Sequence, residues 1–186
     1  MNLLKSLFKL FKVFRYFKKE TKKEDIANEI ANKLNVSDEE KHIIDFIINK
    51  YDYISKKCNY GDNIEKLNEY ERVFLVTQIL EMEVNNGGFD QFFFNSSGDF
   101  SNEIVDAFTK INAFKTAEIC KKALSVFNGP VPTDREKRME LLDELEENDE
   151  IEEFLNECDN QFYKYEDKLE ELTYSYLMKY KEFFNW

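Results

Sequence analysis

The sequence predicts an all-α protein, on three observations. Gly (5) and Pro (2) are scarce in 186 residues. Apolar residues recur three and four positions apart, and no run alternates convincingly enough to read as a strand. Aromatic residues, with 18 Phe and 10 Tyr, supply enough core material that a charged fraction of 34% does not imply disorder. The length fits one domain with a helix attached. The expected architecture is a single-domain helical bundle over residues 24–186, preceded by a basic amphipathic helix over residues 1–23.

In that opening segment Lys5, Lys9, Lys12, Arg15, Lys18, Lys19, Lys22 and Lys23 stand against Glu20 alone. Its net charge is +7 in a chain of −12, so the other 163 residues carry −19. Leu3, Leu4, Leu7, Phe8, Leu10, Phe11, Phe14 and Phe17 recur at helical spacing, with Lys5, Lys9, Lys12 and Lys19 opposite them. Lysines interrupt the apolar run too often for a secretory signal, and a membrane span would need about 20 apolar residues. Three placements stay open: membrane-surface contact through residues 3–19, docking on another subunit such as a homodimer partner, or folding back on the acidic body. Cys58, Cys120 and Cys158, odd in number and without a CxxC pair, fit a reducing compartment, and Cys120 and Cys158, within helical patterns, read as small buried hydrophobes. The expected location is the cytoplasm, at the inner membrane face under the first placement.

Further along, a short stripe of Ile26, Ile30 and Leu34 ends at Asn35. Ser37-Asp38-Glu39-Glu40 then reads as a capping box. It opens a helix carrying Ile43, Ile44, Ile47, Ile48, Tyr51 and Ile54, which ends before the turn cluster 59–63. The next helix is expected from Leu67 to Val84, with Phe74, Leu75, Ile79 and Leu80 inward, and is stopped by Asn85-Asn86-Gly87-Gly88. Phe89 to Phe94 forms a short aromatic run, so that residues 85–99 make an irregular corner between helices. Helices over 102–112 and 117–127 follow, then a hard break at Asn128-Gly129-Pro130-Val131-Pro132. Thr133-Asp134-Arg135-Glu136 reads as a second capping box, and one long helix from Asn160 to Phe184 closes the chain.

Known chemistries find little purchase. His42 is the only histidine, which removes a His-based metal set and a Ser/His/Asp triad, and no phosphate loop or dinucleotide fingerprint occurs. Glu81 and Glu83, two apart on a helix, point to different sides. No catalytic residue, cofactor or metal is expected. Gln91 and Asn95 neither titrate near neutrality nor attack as nucleophiles. They are expected to satisfy backbone groups at helix ends while Phe89, Phe92 and Phe93 fill the core. A small-ligand or enzymatic site beside the glycines is the alternative.

The segment from Glu81 to Asp99 carries a recognisable pattern: a helix ending in Glu, then Asn86-Gly87-Gly88-Phe89, the pair Gln91-Phe92, and Asn95 with Gly98 three residues on. It resembles the DNA mimic protein 19-like domain family. Residues 107–114, Pro132 to Arg138 and Asp159 to Tyr163 follow that family in order and spacing, so the resemblance covers roughly residues 45–185 and leaves out residues 1–23. It implies a non-enzymatic protein that offers carboxylates to a basic DNA-binding protein or nuclease and binds no nucleic acid directly, in keeping with the acidic charge. An immunity or anti-defence inhibitor of a basic toxin or nuclease is the nearest alternative.

The residues for such a role lie between Asp134 and Glu153, where 11 acids meet three basic residues. As one helix those residues would span about 30 Å, or one net charge per roughly 3.8 Å, against about 3.4 Å along a DNA strand. The partner-binding set expected is Glu140, Asp143, Glu144, Glu146, Glu147, Asp149, Glu150, Glu152 and Glu153.

Overall fold

The computed structural model describes residues 37–146 and 149–184. The basic segment 1–23 and the Ile26 to Leu34 stripe lie outside the described residues. The chain divides into two compact units, residues 1–52 and 53–186. Every regular element among the described residues is helical, as the sequence predicts. In order they are α1 (Asp38–Lys57), α2 (Glu69–Phe94), α3 (Ile104–Lys110), α4 (Phe114–Leu124), α5 (Arg135–Glu146), α6 (Asp149–Phe162) and α7 (Leu169–Lys179).

The first capping box forms as read. Ser37 Oγ accepts from the Glu40 N–H at 3.2 Å, and Glu40 Oε2 accepts from the Ser37 N–H at 2.9 Å. Ile44, Ile47 and Ile54 are buried along α1. A second box, absent from the sequence expectations, starts α2: Asn68 Oδ1 accepts from the Tyr70 and Glu71 N–H groups, and Glu71 returns a carboxylate to the Asn68 N–H. Glu71 is fully buried and is neutralised by Lys57 Nζ at 2.6 Å. This cap explains why the helix begins at Glu69 rather than Leu67.

Helix α2 is the centre of the larger unit and packs against α3, α5, α6 and the 3-10 run Ser96–Glu103. Val73, Phe74, Leu75, Val76, Leu80 and Val84 are buried on it, whereas Ile79 is only half-buried. The expected stop at Asn85 to Gly88 is a kink instead. Gly87 (φ −162°, ψ 26°) and Gly88 (φ 82°, ψ −177°) redirect the chain, and helix resumes from Phe89 to Phe94. It resumes because Phe89, Phe92 and Phe93 bury completely, at 0% exposure each, and because another element caps the restarted turn.

Three further boundaries differ from expectation. Asn102 precedes α3 and uses its side chain to hold both backbone groups of Val131, at 2.8 and 3.0 Å, which pins the 128–132 break. Helix α4 starts at Phe114 and stops at Leu124, with buried Phe127 beyond its end. At α5 the cap is Asp134, whose Oδ1 accepts from the Lys137 N–H at 3.1 Å; with lysine in that third position no carboxylate reaches back, so Thr133 to Glu136 is not a capping box.

The long closing helix is two helices. The connection 163–168 leaves the helical path, with Tyr165 at φ +48°, because its side chains are engaged elsewhere. The Tyr163 hydroxyl donates to Val84 O at 2.8 Å. Asp167 Oδ2 accepts from the Thr116 N–H at 2.8 Å and from Thr116 Oγ1 at 3.0 Å, serving an α4 N-terminus whose own cap position is Ala113. After α7 the chain closes on α2: Phe183 stacks on Tyr70 with ring centroids 4.1 Å apart, and Phe184 meets Phe74 edge-on. Cys58, Cys120 and Cys158 are all buried and unbridged.

Candidate functional site

The glycine-rich corner is built around carboxylates. Glu83 Oε2 accepts from Gln91 Nε2 and, at 2.9 Å, from Asn95 Nδ2, while Ser97 Oγ lies 3.2 Å from its other oxygen. Asn86 Nδ2 donates to Gln91 Oε1 at 2.6 Å. The motif amides thus converge on Glu83 across the kink instead of satisfying helix-end backbone groups, which corrects the expected role of Gln91 and Asn95. Gly87 leaves room for this, since a Cβ there would lie 2.5 Å from Gln91 Oε1.

On the other side of the kink Asp159, from α6, accepts the Phe89 N–H at 2.8 Å. Burial pushes its carboxyl up to about 6; the Phe89 hydrogen bond opposes that shift and the Asp90 charge adds to it. Glu81 turns away from Glu83, as their spacing predicts. It accepts from the Tyr165 hydroxyl at 3.2 Å, and Asn85 Nδ2 donates to that same hydroxyl. Burial, reinforced by the Glu170 charge, pushes the Glu81 carboxyl up to about 8, with the Tyr165 hydrogen bond pulling the other way. The Tyr165 hydroxyl is itself pushed far up by burial and by Glu81.

Beyond the corner lies Arg138, on α5, with 0% exposure. Its Nε donates to Phe93 O at 2.7 Å, its Nη1 to Pro132 O at 2.7 Å and its Nη2 to Asn95 O at 3.0 Å, and Asp99 pairs with it at 2.9 Å. Gly98 admits the guanidinium, because a Cβ there would sit 2.6 Å from Arg138 Nε. Arg135 also turns to the corner, donating to Phe94 O at 3.3 Å and lying 5.4 Å from the Phe94 ring centroid. Sequence reading missed the roles of Arg138, Asp159 and Glu83, since each partner lies far along the chain or across the kink.

The acidic residues occupy two helices rather than one rod. Glu140, Asp143 and Glu144 on α5 and Asp149, Glu150, Glu152 and Glu153 on α6 are exposed; Glu147 and the Glu146 side chain lie outside the described residues. Helices α5 and α6 pack on each other. Glu136, Glu140, Asp143 and Glu144 recur at helical spacing opposite buried Arg138 and Leu142, and Asp149, Glu150, Glu153 and Glu157 do so opposite buried Leu155, Cys158, Asp159 and Phe162. Two exposed acid rows result. Glu136 and Glu157 continue these exposed rows at four-residue spacing from Glu140 and Glu153.

Fold and surface together define an all-α acidic protein in which one kinked, glycine-hinged helix carries two acid-faced helices. The sequence model of the DMP19-like proteins matches residues 65–180, and the chain belongs to that family. No curated protein and no solved structure matches it. Among the described residues no helix is long and apolar enough to cross a membrane.

Proposed function

We propose that this protein is a non-enzymatic DNA mimic that offers the α5 and α6 carboxylates to the basic nucleic-acid site of a DNA-binding protein or nuclease. The observation carrying this reading is the pair of exposed acid rows, with no Lys or Arg in the sequence between Glu140 and Glu153. Arg138, the nearest basic residue, is turned inside. Like charges four apart on a helix destabilise it by roughly 0.2–0.5 kcal/mol per pair, so Glu136, Glu140 and Glu144 work against α5 rather than for it. Membership of the DMP19-like family supports the same reading. The motif residues 86–95 favour no ligand site: Gln91 and Asn95 donate to Glu83, Asn86 donates to Gln91, and the space beside Gly87 and Gly88 is taken by Gln91 and Asp159.

The test is charge reversal to Lys at Asp143, Glu144, Asp149 and Glu150, read against partners retained from the host lysate and eluted by a salt gradient. The variant keeps its helical circular dichroism and loses the partner. Association of the parent protein weakens steeply as salt shortens the Debye length to about 8 Å at physiological strength, and DNA competes for the same surface. A partner that binds the variant normally, or that binds DNA and this protein together without mutual weakening, overturns the reading.

A further inference from the structure

We infer that the six residues Phe89–Phe94 act as a spacer that sets the placement of the two acidic helices, with Arg138 and Asp159 as positioning residues of the charged surface. The inference rests on the function proposed above for that surface. The kink at Gly88 interrupts the backbone ladder, and the first N–H groups of a restarted helix have no intrahelical acceptor. Asp159 of α6 takes the first of them, Phe89 N–H, at 2.8 Å. At the other end Asn95 turns extended (φ −75°, ψ 171°), which leaves late carbonyls to be satisfied from outside. Arg138 of α5 takes Phe93 O at 2.7 Å and Asn95 O at 3.0 Å.

An acid at the N-terminal end and a cation at the C-terminal end is the arrangement the helix dipole favours, so neither side chain can be exchanged for the other. Neither can slide. A Cβ at residue 88 would lie 2.2 Å from Asp159 Oδ2, and one at residue 98 would lie 2.6 Å from Arg138 Nε. Residues 89 and 93 are separated by about 6 Å of axial rise, so the two anchors grip the segment roughly one helical turn apart. Arg138 and Asp159 lie on the faces of α5 and α6 opposite the acid rows, so each anchor fixes its row from behind.

Nitroxide labels at Glu144→Cys and Glu153→Cys, measured by double electron–electron resonance in the full chain, report the separation of the rows. Asp159→Asn retains an acceptor for the Phe89 N–H and keeps the parent distance. Asp159→Ala and Arg138→Met shift or broaden the distance distribution while circular dichroism stays helical. Should those two variants fail to fold, Arg138→Lys decides: it keeps the charge but lacks the planar fork that reaches two carbonyls, and its distribution shifts. Parent-like distances in folded Asp159→Ala and Arg138→Met, or in Arg138→Lys, overturn the inference. The outcome is independent of partner binding, so failure of the charge-reversal test and failure of the spacer are separately visible.

Discussion

At Gly88 a side chain meets two obstacles at once, a backbone at φ +82° and the Asp159 carboxylate where its Cβ would be. Gly88→Ala is therefore expected to lose about 1–3 kcal/mol to strain alone, plus whatever the displaced Asp159 contact contributes, measured as a lower urea midpoint. Glu83→Leu leaves the half-buried Gln91 and Asn95 donors without their acceptor, at about 1 kcal/mol, the low end of the range for an unsatisfied group; an unchanged midpoint would show that those amides find water instead. The pH dependence comes from two carboxyls held above their ordinary range, Asp159 at about 6 and Glu81 at about 8. The folded state holds these protons more tightly than the unfolded state, so their stabilisation is full below about pH 4 and is lost as pH rises through those values. The urea midpoint is expected to fall from about pH 4 to about pH 8, with Asp159→Asn reducing the slope below about pH 6 and Glu81→Gln reducing it throughout and removing it above pH 6. Burial of Phe89, Phe92 and Phe93 was legible from their type and spacing. The roles of Glu83, Asp159 and Arg138 were not, because a polar residue's partner across 8 to 70 positions leaves no periodic trace.

A local cap made one helix end legible, although the equally local box of Asn68 and Glu71 was missed, and distant caps left no signal at all. Ser37 with Glu40 is a four-residue signal, and α1 starts there. The α4 start is served instead by Asp167, 51 residues downstream of Thr116, and nothing near Ala113 announces it. Asp167→Ala should cost about 0.5–2 kcal/mol, the range for a lost N-cap, and should speed hydrogen exchange in the first turn of α4 more than in α3. Glycine shows that the chain needs unusual dihedrals but not which structure the next residues adopt: after Gly87-Gly88 the helix resumes because α6 supplies an acceptor for its first N–H. The break between α6 and α7 was illegible for the opposite reason. Tyr163-Lys164-Tyr165-Glu166-Asp167-Lys168 contains neither Gly nor Pro, and its side chains are held by distant partners, Val84, Glu81, Lys115 and Thr116.

For the molecule as a whole, class and family span were both readable, since helical periodicity and scarce turn residues survive any error in boundaries, and the 65–180 match falls within the stretch the motif suggested. The only mark of the subdivision of the acidic run into two packed helices was Asn148-Asp149, a candidate break at the point where the second helix starts, because the charge run itself has no feature that marks a helix end. Acid rows on adjacent helices repel each other, so the thermal midpoint should rise as ionic strength increases from about 0.01 M to 0.15 M and the Debye length shrinks from about 30 Å to 8 Å. Charge reversal at Asp143, Glu144, Asp149 and Glu150 should blunt that rise, and a salt-insensitive parent would place the rows too far apart to interact. The buried cysteines bear on handling rather than on folding. Cys58 is sealed in the core, burial holds the Cys120 thiol well above its ordinary range, and Cys158 is pushed up to about 11. Maleimides and methanethiosulfonates attack thiolates that they can reach, so a single cysteine introduced on an exposed helix face becomes the preferred attachment point for a dye or spin label while all three native residues stay in place.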